Sequence, residues 1–360
     1  MFYREAGQFK TSYEADQAIL PIMQDRVGIA LMLFVAVAII PFVSSGFFLN
    51  AVMTPFLILT LATIGLNTLT GYAGQLSLGS GGFMGVGAYA CYKLTTLFPD
   101  VNIIVHILLS GLFAAAIGMV FGLPSLRIKG LYLAVTTLAS QFFLEWCFIR
   151  IPWLYNYNES GAIQVPERSG FGGIVLTGPA ADPRTQYFVV LAIVVVMTLL
   201  MKNVVRGRIG RSWMMIRDMD IAAELMGVRP LNAKLSAFAV SSYLCGVAGA
   251  LFVFFYLGAA EPSAFGVSLS FQVLFMAILG GLGSLAGSYF GAAFIWILPI
   301  MLRTGLPVLG LDIGAETITQ ITQMLVGALI IFFLIAEPHG LARLWAIGKE
   351  KLRVWPFPYA

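Results

Sequence analysis

Few side chains in this sequence could do chemistry, and their setting limits what that chemistry is. Gln75, Ser77 and Ser80 stand in TGYAGQLSLGSGGFMGVGAYA (70–90), and Thr136 and Thr137 stand in a second apolar run. Amides and hydroxyls without a base beside them are weak nucleophiles, but they can hydrogen-bond a small polar solute. The two histidines, His106 and His339, are isolated. Cys91, Cys147 and Cys245 lie far apart in apolar segments and read as packing residues, not as metal ligands or a disulfide framework. There is no H-E-x-x-H, no paired carboxylate within an apolar run and no Ser–His spacing. Nor is there a G-x-x-x-x-G-K-[ST] phosphate loop, because Gly348-Lys349 is followed by Glu350 and lacks the upstream glycine. These residues predict no enzyme and no cofactor or metal held by this chain.

A second group of residues is charged. Residues 202–236, KNVVRGRIGRSWMMIRDMDIAAELMGVRPLNAKLS, hold seven Lys or Arg (Lys202, Arg206, Arg208, Arg211, Arg217, Arg229, Lys234) against three acids (Asp218, Asp220, Glu224). Apolar runs long enough to cross a bilayer flank the segment on both sides. Basic residues beside such runs mark the cytoplasmic face. Arg211 to Met226 contains no Pro or Gly and is rich in Met, Ala, Ile and Leu, which predicts one helix. Gly227 suits the left-handed position past its end, and Pro230 follows soon after. Trp213, Ile216, Asp220, Ala223 and Gly227 share a face at helical spacing. Small Ala and Gly on that face would let another protein come close. The blander reading is a loop whose charges only set topology.

The elements that must position these residues are membrane spans. Apolar residues make up 59%, charged residues 11%, and mean hydropathy is +0.90. That is an all-α polytopic membrane protein, not a soluble domain. The net charge of +4 needs no nucleic acid, since the basic residues cluster beside apolar runs. Residues 1–27 read as a retained cytoplasmic arm without the layout of a secretory signal. The transmembrane domain covers 28–336 and the cytoplasmic tail 337–360. About ten spans are expected, near 28–43, 51–69, 71–97, 103–123, 131–149, 187–201, 237–257, 271–283, 285–303 and 314–336. Re-entrant paths for 71–97 and 271–303 would lower that number. The interval 150–186, rich in Pro, Gly and aromatic residues, falls outside the cell, where docking a soluble binding protein is one use for it. Lys93 is expected to snorkel outward from the third span. Sixteen of the 21 Lys and Arg then lie on the cytoplasmic side, with both termini there.

Residues 70–90 hold seven glycines. Each costs about 1 kcal/mol relative to Ala inside a helix, so a plain lipid-facing helix is not expected. Small residues could serve close helix packing. Alternatively, the helix breaks near Gly71–Gly79 and opens backbone, Gln75, Ser77 and Ser80 to a solute path. Thr136 and Thr137 join the path candidates, although hydroxyls there can equally bond back to helix carbonyls. A second interruption, Gly280-Gly281-Leu282-Gly283, stands near a short span in the other half. Paired interruptions are the pattern of an inverted repeat, though the halves share too little identity to align.

The spans place no Asp, Glu, Lys or His at mid-membrane, which argues against a proton- or ion-coupled carrier. A membrane domain without its own motor needs one from a partner. Here the segment R-D-M-D-I-A-A-E-L-M-G followed by K-L-S-A-F resembles the coupling segment of ABC-importer permeases. Ala222-Ala223 with Gly227 matches the core of that signature, with Ile221 where Glu is usual. GYAGQLSLGSGGFMGVGAYA (71–90), LRIKGLYLAVTTLA (126–139) and FMAILGGLGSLAGSYFGA (275–292) resemble the LivM-type permease subunit of branched-chain amino acid ABC importers. The likeness runs from about residue 50 to about 340. It implies the ABC importer permease fold and a bacterial inner-membrane location. It also implies a homologous second permease, two ATPase subunits carrying ATP and Mg, and a periplasmic binding protein. Arg217, Asp218, Asp220, Ala222, Ala223, Glu224 and Gly227 would contact the ATPase. Related permeases that carry urea, amides, aromatic acids, sugars or nucleosides are the alternative.

Overall fold

The computed structural model describes residue 12 and residues 23–125, 131–158, 162–170, 173, 175–178, 181–308, 315–336 and 340–354. Most of the expected N-terminal arm lies outside the described residues, as do Arg127, Lys129, Phe171, Glu337, Pro338 and His339.

Apolar runs bounded by Pro, Gly and charge become helices. Helix α1 (Met23–Phe34) runs on through a π turn to Val43, and α2 (Thr54–Asn67) is followed by a π turn at Thr68–Tyr72. Then come α3 (Ser80–Leu97), α4 (Ile103–Ser125), α5 (Leu131–Arg150) and α6 (Pro183–Arg206). Two short helices, α7 (Arg208–Asp218) and α8 (Asp220–Leu225), precede α9 (Pro230–Phe252). The chain continues with α10 (Val267–Gly280), α11 (Leu285–Val308), α12 (Ala315–Ala336) and α13 (Gly340–Val354). Among the described residues, eight helices are long and apolar enough to cross a membrane. Of the ten spans expected, α3 falls below that apolarity because of its glycines, hydroxyls and Lys93. The stretch 314–336 contributes only the shorter apolar helix Gln323–Phe333.

Helix α9 is the axis of the bundle. Its span is 83% buried, whereas that of Arg26–Val43 is 6% buried and lies at the periphery. Small residues put α9 there. Ser242, Cys245, Gly246 and Gly249 repeat at helical spacing and face α2, α3 and α4. A Cβ on Gly87 would stand 2.0 Å from the Gly246 carbonyl, and one on Gly249 would stand 1.9 Å from that of Met84. Backbones in direct contact are the gain that small residues bring to membrane helices. Much of the glycine in 81–87 therefore serves packing.

Three local expectations change. The helix expected over 211–226 is two helices, because Met219 is extended (φ −155°, ψ 98°). Asp218 and Asp220 flank the break, and Asp competes with helix interiors through its own backbone hydrogen bonds. The interval 150–186 is not wholly irregular. Ile163–Gln164 (β1) pairs antiparallel with Ala259–Ala260 (β4), and Arg168–Ser169 (β2) pairs with Val175–Thr177 (β3). Arg168 fastens this cover to the bundle by donating to the Thr95 carbonyl (2.8 Å) and the Pro99 carbonyl (3.1 Å). Lys93 does not snorkel to solvent. It is buried, donates to Asn156 Oδ1, and sits 4.4 Å from the centre of the Trp153 ring. A buried cation held against an aromatic face keeps a favourable partner away from water.

Candidate functional site

The polar residues of the first interruption are gathered by the way α2 ends. Its last turn widens into a π turn: the Ala73 N–H reaches the Thr68 carbonyl (3.2 Å) and the Gln75 N–H reaches that of Leu69 (3.0 Å). Such turns recur at functional sites. Residues 73–79 then run without regular structure before α3 begins. Their partners show where they go. Gly74 packs under the Arg217 stem, the Leu78 N–H donates to Thr137 Oγ1 (2.9 Å), and the Gly81 N–H donates to Ser270 Oγ (2.8 Å). Ser270 lies about 15 Å along α10 from its Gly280 end. The segment therefore climbs as irregular chain, turned at Gly74 (φ +68°), from the end of the bundle that carries α7 and α8 to its mid-height. Irregular backbone at such depth is tolerated only where protein buries it or a cavity receives it.

Most of its polar groups are accounted for. The first amides of α3 go to side chains: Gly82 N–H donates to Gln141 Oε1, which also accepts from Ser270 Oγ (3.1 Å). Gln141 Nε2 donates to the Phe265 carbonyl (2.5 Å), so one amide ties α5 and α10 to the start of α3. Ser77 Oγ accepts from the Gly79 N–H (3.3 Å). Among the described residues here, Thr70 Oγ1 in the π turn, Gln75 Oε1 and Ser80 Oγ are buried without a hydrogen-bond partner. An unsatisfied buried group costs about 1–3 kcal/mol, and this stretch holds three of them within eleven residues.

The path candidates thus divide. Gln75, Ser77, Ser80 and Thr137 come together at the break. Thr136 does not: it is half-buried and its hydroxyl donates back to the Tyr132 carbonyl (2.9 Å). Thr137 also bonds back, to the Ala134 carbonyl (3.0 Å), while accepting from Leu78.

The second interruption meets the first. Gly281 and Gly283, at φ +111° and +80°, turn the chain between α10 and α11. Asn67, at the end of α2 and fully buried, closes that turn. Its Oδ1 accepts from the Gly283 N–H (2.8 Å), and its Nδ2 donates to the Ser284 carbonyl (2.9 Å) and Ser288 Oγ (3.0 Å). The two interruptions touch so closely that a Cβ on Gly71 would lie 2.2 Å from the Gly283 nitrogen. Asn67, Gln141 and Ser270 were not singled out from sequence. The signal that would have found Asn67 and Gln141 is a lone amide in an otherwise apolar run, since such groups are expensive in a membrane unless used.

The charged segment projects from the same end of the bundle. Trp213 is wholly buried and its Nε1 donates to Ser236 Oγ (2.9 Å), pinning α7 to α9. Ile216 and Ala223 are buried with it, Ala223 at 1% exposure. The face expected to receive another protein is therefore turned onto the chain's own core at Ala223. Met219, Ile221 (72%), Leu225 (85%) and Met226 are exposed. Gly227, at φ +87°, ends α8 in the left-handed position expected of it. The Val228 N–H reaches the Ala223 carbonyl (3.0 Å) and the Gly227 N–H that of Glu224 (2.9 Å). Asp218, Glu224 and Gly227 are exposed, and Asp220 and Ala222 half-buried. Arg217 is exposed as well, yet one arm of its guanidinium reaches the bundle: its Nη1 donates to the Gly71 carbonyl (2.9 Å), while its Nε pairs with Asp218 (2.9 Å).

The family model for the permease component of branched-chain amino acid transport systems matches residues 48–334. The high-affinity branched-chain amino acid transport system permease protein LivM of Salmonella typhimurium is 29% identical over 341 residues, covering 89% of this chain and 75% of the relative. LivM of Escherichia coli K12 gives the same identity and coverage. A probable branched-chain amino acid transport permease of Methanocaldococcus jannaschii is 26% identical over 284 residues, covering 74% of this chain and 78% of the relative. No solved structure matches the chain. With the family model spanning both interruptions and the charged segment between them, the chain belongs to the permease components of branched-chain amino acid transport systems.

Proposed function

We propose that this permease forms half of the translocation path of an ATP-driven importer for branched-chain and other hydrophobic amino acids. It works in the bacterial inner membrane with both termini in the cytoplasm. Its partners are a homologous second permease, two ATPase subunits that bind ATP and Mg, and a periplasmic binding protein that delivers the solute. The observation that carries the reading is the apolar face of α7–α8. Met219, Ile221, Leu225 and Met226 stand exposed among basic residues at the end where sixteen of the 21 Lys and Arg are assigned. A charged loop that only set topology would have no use for these side chains. A cleft in an ATPase subunit covers them, with Asp218, Asp220, Ala222, Glu224 and Gly227 around the apolar centre. The solute passes the first interruption, where Gln75 and Ser80 offer unpartnered polar atoms to its charged ends. Relatives named for branched-chain amino acid transport support that solute class.

The test is purification of the chain from its native membrane, with co-purifying subunits identified by mass and leucine, isoleucine and valine uptake measured after reconstitution. Leu225→Arg puts a charge at the centre of the apolar face without touching the chain's core. It is expected to abolish recovery of the ATPase subunits while the permease stays in the membrane. Gly227→Arg would be a poorer probe, because a side chain at φ +87° strains the turn itself. Unchanged ATPase recovery with Leu225→Arg would remove the assignment of this face.

A further inference from the structure

Arg217 belongs by sequence to the segment expected to face the ATPase, yet its guanidinium is turned the other way. It sits in the last turn of α7, and its Nη1 donates to the Gly71 carbonyl (2.9 Å) in the π turn that ends α2. That carbonyl is free to accept because the Gln75 N–H, which an α-helix would direct to it, bonds to Leu69 instead. A helix C-terminus carries partial negative charge, so a cation is the favoured partner there. The Arg217 stem also occupies the space a side chain on Gly74 would need, its Cγ 2.7 Å from where that Cβ would stand. Its Nη1 lies 3.5 Å from the corresponding point on Gly283. One side chain therefore bonds to the start of the first interruption, packs on its irregular segment at Gly74, and lies close to the second interruption. Asn67 locks the last of these to α2 through three hydrogen bonds.

The rest of α7 is held by Trp213 to α9, the axis of the bundle. The Arg217 guanidinium adds a side-chain hydrogen bond from α7 to the first interruption, beside the contact that its stem and Cα make at Gly74. We propose that Arg217 is a positioning residue that transmits displacement of α7–α8 to both interruptions through the Gly71 carbonyl, and is not a contact to the ATPase. This rests on the importer reading above. It assigns Arg217 a role inside the permease that the chemistry of the segment alone would not.

The test uses the complete importer reconstituted in vesicles, reading co-purified ATPase subunits, ATP hydrolysis and solute taken up per ATP. Arg217→Met keeps the stem over Gly74 and removes the guanidinium. Subunit recovery and hydrolysis are expected to hold, while solute moved per ATP falls about tenfold, the effect of losing one charged hydrogen bond on the coupled step. Arg217→Lys can still place one donor on Gly71 and is expected to fall between the two. An unchanged ratio in Arg217→Met overturns the proposal. Loss of the ATPase subunits overturns it too, because it would place Arg217 at the partner interface. If Arg217→Met does not reach the membrane, Arg217→Lys carries the test alone: a lowered ratio supports the role and a wild-type ratio ends it. A wild-type permease that recruits no ATPase would instead remove the importer reading, whatever the variants do.

Discussion

The two glycine-rich interruptions of this permease have similar composition and opposite construction. At 281–284 the chain turns tightly, and Asn67 satisfies its exposed groups with bonds of 2.8–3.0 Å. At 73–79 the chain runs irregularly, the Leu78 amide is taken by Thr137 and the first amides of α3 by Ser270 and Gln141, and Gln75 Oε1 and Ser80 Oγ remain without partners. One interruption is a closed joint and the other retains buried polar capacity. A break in a membrane helix is thus not by itself a site. The accounting of its hydrogen bonds decides whether it holds the fold together or is left able to receive something else.

The contrast can be broken most forcefully at the joint. Asn67→Leu strands the Gly283 amide in the interior and removes the bonds from Asn67 to the Ser284 carbonyl and the Ser288 hydroxyl, which still bond to each other. With one buried donor left unsatisfied, the expected loss is about 2 kcal/mol, read as a lower thermal midpoint and lower yield of the purified complex. A midpoint equal to wild type would mean that the second interruption is not held by Asn67. At the open interruption the opposite sign is expected. Ser80→Ala removes a buried unsatisfied hydroxyl, so stability should stay level or rise by about 1 kcal/mol while uptake falls. A variant that loses stability instead would reveal a structural partner for Ser80. The smallest effect is expected at Thr136→Val, where the hydroxyl only bonds back to Tyr132. Stability and uptake should both stay near wild type, within about 0.5 kcal/mol for the former. A transport defect there would return Thr136 to the path.

How much of this was legible beforehand depends on the kind of signal. The break after Gly71 could be read because seven glycines in 70–90 oppose a continuous helix. Gly227 could be read because a left-handed residue past a helix end has few alternatives to glycine. The direction of the charged segment could not. Trp213, Ile216 and Ala223 share a helical face whether that face meets a partner or the chain's own core, and periodicity is blind to the difference. The kink at Met219 had only a weak signal, the flanking Asp218 and Asp220, set against helix-forming residues further out on both sides. Lys93 misled for a related reason: its long stem allows snorkelling, but only the 152–157 loop, folded back over it, supplies Asn156 and Trp153.

Composition, apolar run length and the clustering of basic residues determined by themselves that this is a helical, multi-pass membrane protein with one strongly basic end. Those properties follow from transfer free energies that each residue carries wherever it sits. Only the tertiary structure decided that Arg217 reaches Gly71, that Asn67 closes one interruption, and that Gln75 and Ser80 are left over in the other. Hydrogen-bond satisfaction is a property of pairs, and these pairs join residues more than two hundred positions apart in the case of Asn67 and Gly283. No local pattern carries the identity of a partner that distant.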